Sequence, residues 1–188
     1  MIGSDFDDVI TDTLKGFNGS NINAFAGAGG ADFLVLGGGA DLGLGGDGGD
    51  TVRGEEGNDT LSGDANGDYL TGGRGKDRIS GGGDADRFIF NLKSDSTTAI
   101  GGRDTITDFS HGQGDRIDLR AIDARSGSGN QSFDFIGTDR FSGDKGDLRI
   151  VKSGQNLIVQ GDIDGDKQAD FAILVEDTGT LRSGDFFL

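Results

Sequence analysis

Apolar side chains recur through the first half of the chain as single residues at intervals of nine. Leu34, Val52, Leu61, Leu70, Ile79 and Phe88 hold this place, and Gly43 breaks the series. That period matches neither an amphipathic helix nor a long alternating strand. Two residues before each stands an aspartate, Asp32, Asp41, Asp50, Asp59, Asp68, Asp77 and Asp86, again at intervals of nine. The frame is G-G-x-G-x-D-x-(apolar)-x, which predicts a six-residue turn followed by a three-residue strand. Two such units make a coil of eighteen residues. Stacked coils then form two parallel sheets, about 4.8 Å between neighbouring strands, with the eighth-place side chains enclosed.

After Phe90 the rhythm fades. Runs at 104–109, 133–137, 148–151, 156–160 and 170–175 predict an antiparallel β region, and 119–124 a helical turn. A stack of repeats needs a cap over its last coil, and Phe133, Phe135, Phe141, Phe171, Phe186 and Phe187 supply the bulk for one. The fold class predicted is therefore all-β. A parallel β-roll occupies 1–90, with an irregular first coil over 1–26, and a C-terminal antiparallel β cap occupies 91–188. Asp8 lies 24 residues before Asp32, out of phase, and the segment 16–24 places Asn21 where the acid belongs, so metal binding in that first coil is not expected.

Charge gives the pattern its chemistry. The chain carries a net charge of -16 with 38 glycines and no cysteine, and its only glutamates are Glu55, Glu56 and Glu176. Short acids beside glycine indicate tight turns that place carboxylates geometrically. Aspartates eighteen apart form columns, Asp32, Asp50, Asp68 and Asp86 on one edge and Asp41, Asp59 and Asp77 on the other. Adjacent carboxylates repel by roughly 1 kcal/mol in water and by several at a protein surface. A divalent cation between coils reverses the sign. With oxygen donors and neither Cys nor clustered His, calcium is the expected ion. Candidate ligands are the column aspartates together with Gly37, Gly39, Gly45, Gly46, Gly48, Gly54, Gly57, Gly63, Gly72, Gly73, Gly75, Gly81, Gly82 and Gly83 in the turns between them. Pairs eighteen apart suggest about five ions or more. At the fourth place Asn66 and Asp84 replace glycine, which these residues can do at positive φ.

The stretch 45–62, GGDGGDTVRGEEGNDTLS, closely resembles the RTX nonapeptide of calcium-binding β-rolls. ADRFIF (85–90), DTITDF (104–109), GDRIDL (114–119), FDFIG (133–137), DIDGDKQADFAILV (162–175) and the terminal DFFL (185–188) resemble the C-terminal region of serralysin-type secreted metalloproteases. Similar modules end secreted lipases and alginate epimerases. The resemblance implies a module that folds on calcium outside a bacterial cell, after passage through a type I secretion apparatus that reads an uncleaved C-terminal signal. An upstream catalytic domain is a partner it implies. It also implies that ligation continues past the repeats, through Asp95, Asp104 and Asp115. Asp185 to Leu188 resembles the signal, and a final edge strand packing its phenylalanines accounts for the same residues.

Other chemistry is missing. No H-E-x-x-H, cysteine nucleophile or G-x-S-x-G elbow is present, and the lone His111 reads as a solvated loop residue. The chain is expected to be a non-catalytic module. Acidity argues against a nucleic-acid partner, and no apolar run reaches the ~20 residues needed for a membrane span. Asp162, Asp164, Asp166 and Asp170 invite an EF-hand comparison, but Gly165 comes early and no glutamate closes the loop, so a hairpin turn is favoured. The alternative function is a carbohydrate-binding module presenting Arg53, Arg74, Lys76, Arg78 and Arg87 to an acidic polysaccharide such as alginate. Arg78 and Arg87 fall on opposite sheets, which weakens that reading.

Overall fold

The structure, a computed structural model, describes residues 2–11, 22–125 and 129–188. Ten strands follow the repeat: β1 (Val9–Thr11), β2 (Ala24–Gly29), β3 (Phe33–Val35), β4 (Gly38–Gly39), β5 (Leu42–Asp47), β6 (Thr51–Gly57), β7 (Thr60–Ala65), β8 (Tyr69–Arg74), β9 (Arg78–Gly82) and β10 (Arg87–Ile89). Seven more complete the chain: β11 (Thr105–Ile106), β12 (Arg116–Asp118), β13 (Asp134–Gly137), β14 (Asp147–Ser153), β15 (Asn156–Asp162), β16 (Phe171–Val175) and β17 (Phe186–Phe187). Apart from β4, successive strands of the roll alternate between two sheets. The first runs β1-β3-β6-β8-β10-β12-β17, with β4 beside β6, and the second runs β13-β14-β15-β16-β11-β9-β7-β5-β2. This is the expected all-β roll.

Register follows the nine-residue frame. Leu34 pairs with Val52, Val52 with Leu70 and Leu70 with Phe88 in the first sheet, and Leu61 pairs with Ile79 in the second. These side chains are buried between the sheets. The two breaks in the pattern compensate each other. A Cβ at Gly43 would meet Leu36 Cδ1 and Val52 Cγ1, each at 2.9 Å. Leu36, which stands where other repeats have glycine, is fully buried and fills the room that Gly43 leaves.

Both sheets continue across residue 90. Phe88 pairs in parallel with Ile117, and Ile117 with Phe186, while Ile79 pairs with Ile106, and Ile106 with Val175. Antiparallel pairing is confined to β14-β15-β16, and β13 joins β14 in parallel. The region 91–188 is thus less antiparallel than its sequence predicts. Isolated apolar residues such as Ile106 and Ile117 can still occupy the enclosed row when longer loops intervene, because strand pairing ignores the length of the connection. Within 119–124, where a helical turn is expected, Ile122 N–H donates to Leu119 O and closes a single turn. Among the described residues no helix is long and apolar enough to cross a membrane.

Candidate metal centre

Each column aspartate is a link in a relay. The amide of Asp32 donates to Asp50 Oδ1 at 2.7 Å, Asp50 to Asp68 at 2.7 Å and Asp68 to Asp86 at 2.9 Å. On the opposite edge the relay runs from Asp41 to Asp59 at 2.8 Å and from Asp59 to Asp77 at 2.7 Å. One carboxylate oxygen is consumed in this way. The other, Oδ2 of Asp32, Asp50, Asp68, Asp86, Asp59, Asp77 and Asp104, is buried without a hydrogen-bond partner. A buried charge of this kind is costly unless something pairs with it.

The repeat frame aims these oxygens. A Cβ built at Gly27, Gly45, Gly54, Gly63, Gly72 or Gly81 would lie 2.0–2.4 Å from Oδ2 of the same repeat's aspartate. The same position at Gly45, Gly54 and Gly63 lies 2.5–2.6 Å from the carbonyl oxygen of Gly63, Gly72 and Gly81 in the next coil. Glycine at the first place therefore leaves a cradle between an orphaned carboxylate oxygen and a carbonyl. Gly37, Gly39, Gly46, Gly48, Gly57, Gly73, Gly75 and Gly82 all have positive φ, as do Asn66 and Asp84, which replace glycine at the fourth place. Gly83 stands apart, since a Cβ there would meet only the Asp64 carbonyl, at 3.8 Å.

Burial and like charge push the carboxyls of Asp50, Asp59, Asp68, Asp77, Asp86 and Asp104 up. Desolvation is the largest cause at every one of them, opposed by the relay hydrogen bond, with repulsion from column neighbours added. Asp59 reaches about 6, Asp68, Asp77 and Asp86 about 7, and Asp104 about 9. Carboxyl oxygens that are buried and unpaired fit a hard divalent cation, which favours their ionised form.

Past Asp86 the interval of nine no longer tells which residue stacks. Asp77 donates to Asp104 Oδ1, 27 residues on, and Asp86 to Asp115 Oδ1, 29 residues on. Asp95, which keeps the interval, is buried close enough to repel Asp77 and Asp104, but its Oδ2 accepts from the amides of Asn91 and Leu92. The first coil also differs from its out-of-phase sequence. Asp8 N–H donates to Asp32 Oδ1 at 2.7 Å, so Asp8 heads one column. Asn23 N–H donates to Asp41 Oδ1, so Asn23 heads the other, while Asn21 lies outside the described residues.

Serines close the ends, a feature the sequence reading missed. Ser4 donates through N–H and Oγ to Asp8 Oδ2, and Ser110 N–H donates to Asp115 Oδ2. Ser96 Oγ accepts from the amide of Asp104. The signal available in sequence was a serine four, five or eight residues before an acid, which is too common to single out. Asp108, half-buried, accepts from Gly81 N, Gly82 N and Ser80 Oγ beside the last turn.

The remaining candidates fall elsewhere. Asp162, Asp164 and Asp166 gather their carboxylates within 4.8 Å in the β15-β16 hairpin loop. Both oxygens of Asp162 are engaged there, by Gly165 N and Lys167 N. His111 lies exposed in a turn, as expected, but it has partners there. Its Nδ1 lies 2.5 Å from Oδ1 of buried Asp185, and its Nε2 lies 3.3 Å from Arg182 Nη1. Phe186 and Phe187 form the edge strand β17. Arg78 lies on the second sheet, paired with Glu176 at 3.3 Å, while Arg53 and Arg87 lie on the first. Arg74 ends β8 and Lys76 lies in the turn after it.

Stacked parallel coils edged by buried, relayed aspartates define a β-roll module of the calcium-binding RTX type. Residues 18–188 match the model of the family described as peptidase M10 serralysin C terminal, and the chain belongs to that family. No curated protein matches it significantly. Among solved structures it is similar to the AlgE6R3 subunit of the Azotobacter vinelandii mannuronan C5-epimerase. The match has 25% identity and a TM-score of 0.40, covering 98% of this chain and 80% of that one. The AlgE6R2 subunit of the same enzyme matches at 25% identity with a TM-score of 0.44, covering 99% and 90%.

Proposed function

We propose that the chain is a calcium-triggered folding module of a secreted bacterial protein, exported by a type I apparatus and non-catalytic in itself. The observation that carries this reading is the set of orphaned buried carboxylate oxygens facing glycine carbonyls across adjacent coils. Asp32, Asp41, Asp50, Asp59, Asp68, Asp77, Asp86 and Asp104 would hold the ions with carbonyls of the turn glycines, and Asp95 and Asp115 flank the last sites. Bound calcium supplies positive charge that offsets repulsion within each column. Its binding to the folded chain alone is folding free energy.

In a calcium-poor cytoplasm the same repulsion keeps the chain loose. Outside the cell, extracellular calcium modules bind at dissociation constants on the order of 10⁻⁴–10⁻³ M. Membership of the serralysin C-terminal family supports secretion, and the terminal Asp185 to Leu188 is the proposed export signal. The host of the module is a secreted enzyme such as a serralysin-like protease.

Circular dichroism and titration calorimetry on the purified chain test the reading together. Strand signal should appear with calcium, not with magnesium, and vanish in EGTA, with about five or more ions bound. A compact, strand-rich chain in excess EGTA would sink it.

A further inference from the structure

Asparagine or aspartate stands directly before glycine at Asn18-Gly19, Asp47-Gly48, Asn66-Gly67 and Asp164-Gly165. Such a pair can react with itself, because the glycine amide nitrogen can reach the side-chain carbonyl carbon and no Cβ stands in its way. A hydrogen bond on that amide holds it back. Gly48 N–H donates to Ala65 O at 3.2 Å, and Gly165 N–H donates to Asp162 Oδ1 at 2.7 Å. Asn18 and Gly19 lie outside the described residues. Among the described residues nothing engages the Gly67 amide or the Asn66 side chain, and Asn66 is exposed.

Stacking of the coils leaves that amide free. Fifth-place amides elsewhere are taken by a side chain in the preceding coil, Ala31 N–H by Asp7 Oδ1 and Lys76 N–H by Asn58 Oδ1, each at 2.9 Å. The residue stacked over Gly67 is Gly49, whose Cβ, if built, would stand 3.3 Å from Gly67 O, and glycine brings no acceptor. Asn66 holds the fourth place of its repeat. Gly30, Gly39, Gly48, Gly57 and Gly75 hold that place elsewhere at φ of +104° to +143°, and Asn66 sits at +75°.

We propose that Asn66 is a self-modification site, which converts to isoaspartate in the folded chain and thereby disrupts the column that runs through Asp68. The Gly67 nitrogen, giving its proton to solvent base, attacks Asn66 Cγ. A Cγ–N bond forms, the Cγ–Nδ2 bond breaks and ammonia leaves, which closes a succinimide ring. Water then opens the ring. Attack at Cγ leaves aspartate, and attack at the backbone carbonyl carbon leaves isoaspartate, with the main chain routed through Cβ and Cγ.

Either product adds a carboxylate beside Asp64, which already repels Asp50 and Asp68. Isoaspartate also lengthens the main chain by a methylene next to Gly67. There is no slack at that point. A Cβ at Gly67 would meet Ala85 O at 2.7 Å, and the next residue, Asp68, accepts from Asp50 N–H at 2.7 Å and donates to Asp86 at 2.9 Å. Strands stacked at a fixed separation do not absorb an extra backbone atom in one coil, so the relay bonds of Asp68 and its orphaned Oδ2 are displaced. The effect on calcium rests on the calcium reading above, whereas the modification itself does not.

The test is peptide mapping of the full chain, incubated with calcium for days at mildly alkaline pH, beside a calcium titration of the same samples. Conversion is expected at Asn66, as paired peptides that share the aspartate mass but differ in retention, while Asn58, Asn91, Asn130 and Asn156 stay intact. Apparent calcium affinity should fall at least tenfold in the converted fraction. Asn66→Gly suits the positive φ and removes the reacting carbonyl, so its affinity should not change with age. Freshly prepared Asn66→Asp carries the charge without the methylene, and it should weaken calcium less than conversion does. If Asn66 survives the incubation, or converts no faster than Asn58, the proposal is overturned. Conversion with an unchanged calcium titration would overturn the claim on the column. If the fresh parent binds no calcium, the calcium reading falls, and the peptide map alone decides the modification.

Discussion

Replacing Asp77 by asparagine should have opposite effects with and without calcium. Asp77 Oδ1 accepts the relay amide of Asp59 at 2.7 Å, and an asparagine carbonyl oxygen can take over that bond. Its Oδ2 is buried and unpaired, and there asparagine places a neutral amide. Desolvation first, then repulsion from Asp59 and Asp95, moves this carboxyl from 3.8 to about 7. At 1.36 kcal/mol for each factor of ten, that is a penalty of about 4 kcal/mol on the ion-free fold. For a carboxyl raised on folding, the penalty is absent below pH 3.8 and complete above about pH 7. At pH 8 in EGTA, Asp77→Asn should therefore favour folding by up to about 4 kcal/mol. In saturating calcium the same variant loses an anionic ligand, and apparent calcium affinity should fall at least tenfold. Circular dichroism in EGTA with a stabilising osmolyte titrated in reads the ion-free arm, and urea titration in calcium chloride reads the other. If the substitution destabilises the chain equally in both solutions, the buried oxygen is not what calcium balances, and the electrostatic reasoning is refuted.

Where a stabilising osmolyte holds the ion-free chain folded, calcium loading at pH 7 should release protons, because buried Asp68, Asp77, Asp86 and Asp104 are partly protonated there without the ion, and release should diminish above pH 9. Calorimetry in buffers of different ionisation enthalpy measures this directly. Gly57→Ala should prevent coils from stacking, since its Cβ would fall 1.4 Å from the Gly39 carbonyl oxygen at a φ of +138°, whereas Gly179→Ala, with nothing within 4 Å, should leave the melting temperature unchanged. His111→Ala should leave buried Asp185 without one partner and destabilise the calcium-loaded fold by roughly 1–3 kcal/mol. Limited proteolysis at the C-terminus would report it as earlier loss of β17, and an unchanged digestion profile would count against the contact.

The roll itself was legible in the chain because its information is local. Each nine-residue unit carries its own turn glycines, its aspartate and its enclosed apolar residue, so spacing alone predicts the coil and the columns from Asp32 to Asp86. Leu36 and Gly43 looked like two faults in sequence, and only their proximity shows that one repairs the other. The ends of the columns were not legible. Asp8, Asp104 and Asp115 reach their places across 24, 27 and 29 residues, and nothing in sequence distance singles out those lengths.

By itself, the sequence determined the repeat, the all-β class and a donor set of oxygens alone, since these depend on residue type and a short period. Tertiary structure decided which aspartates terminate the columns and that serines stand at those ends. It also decided that His111 meets Asp185. The physical reason is common to all of them. Strands stack at a fixed separation whatever the length of the loop between them, so the residue that completes a column or a contact is chosen by pairing in space and not by counting along the chain.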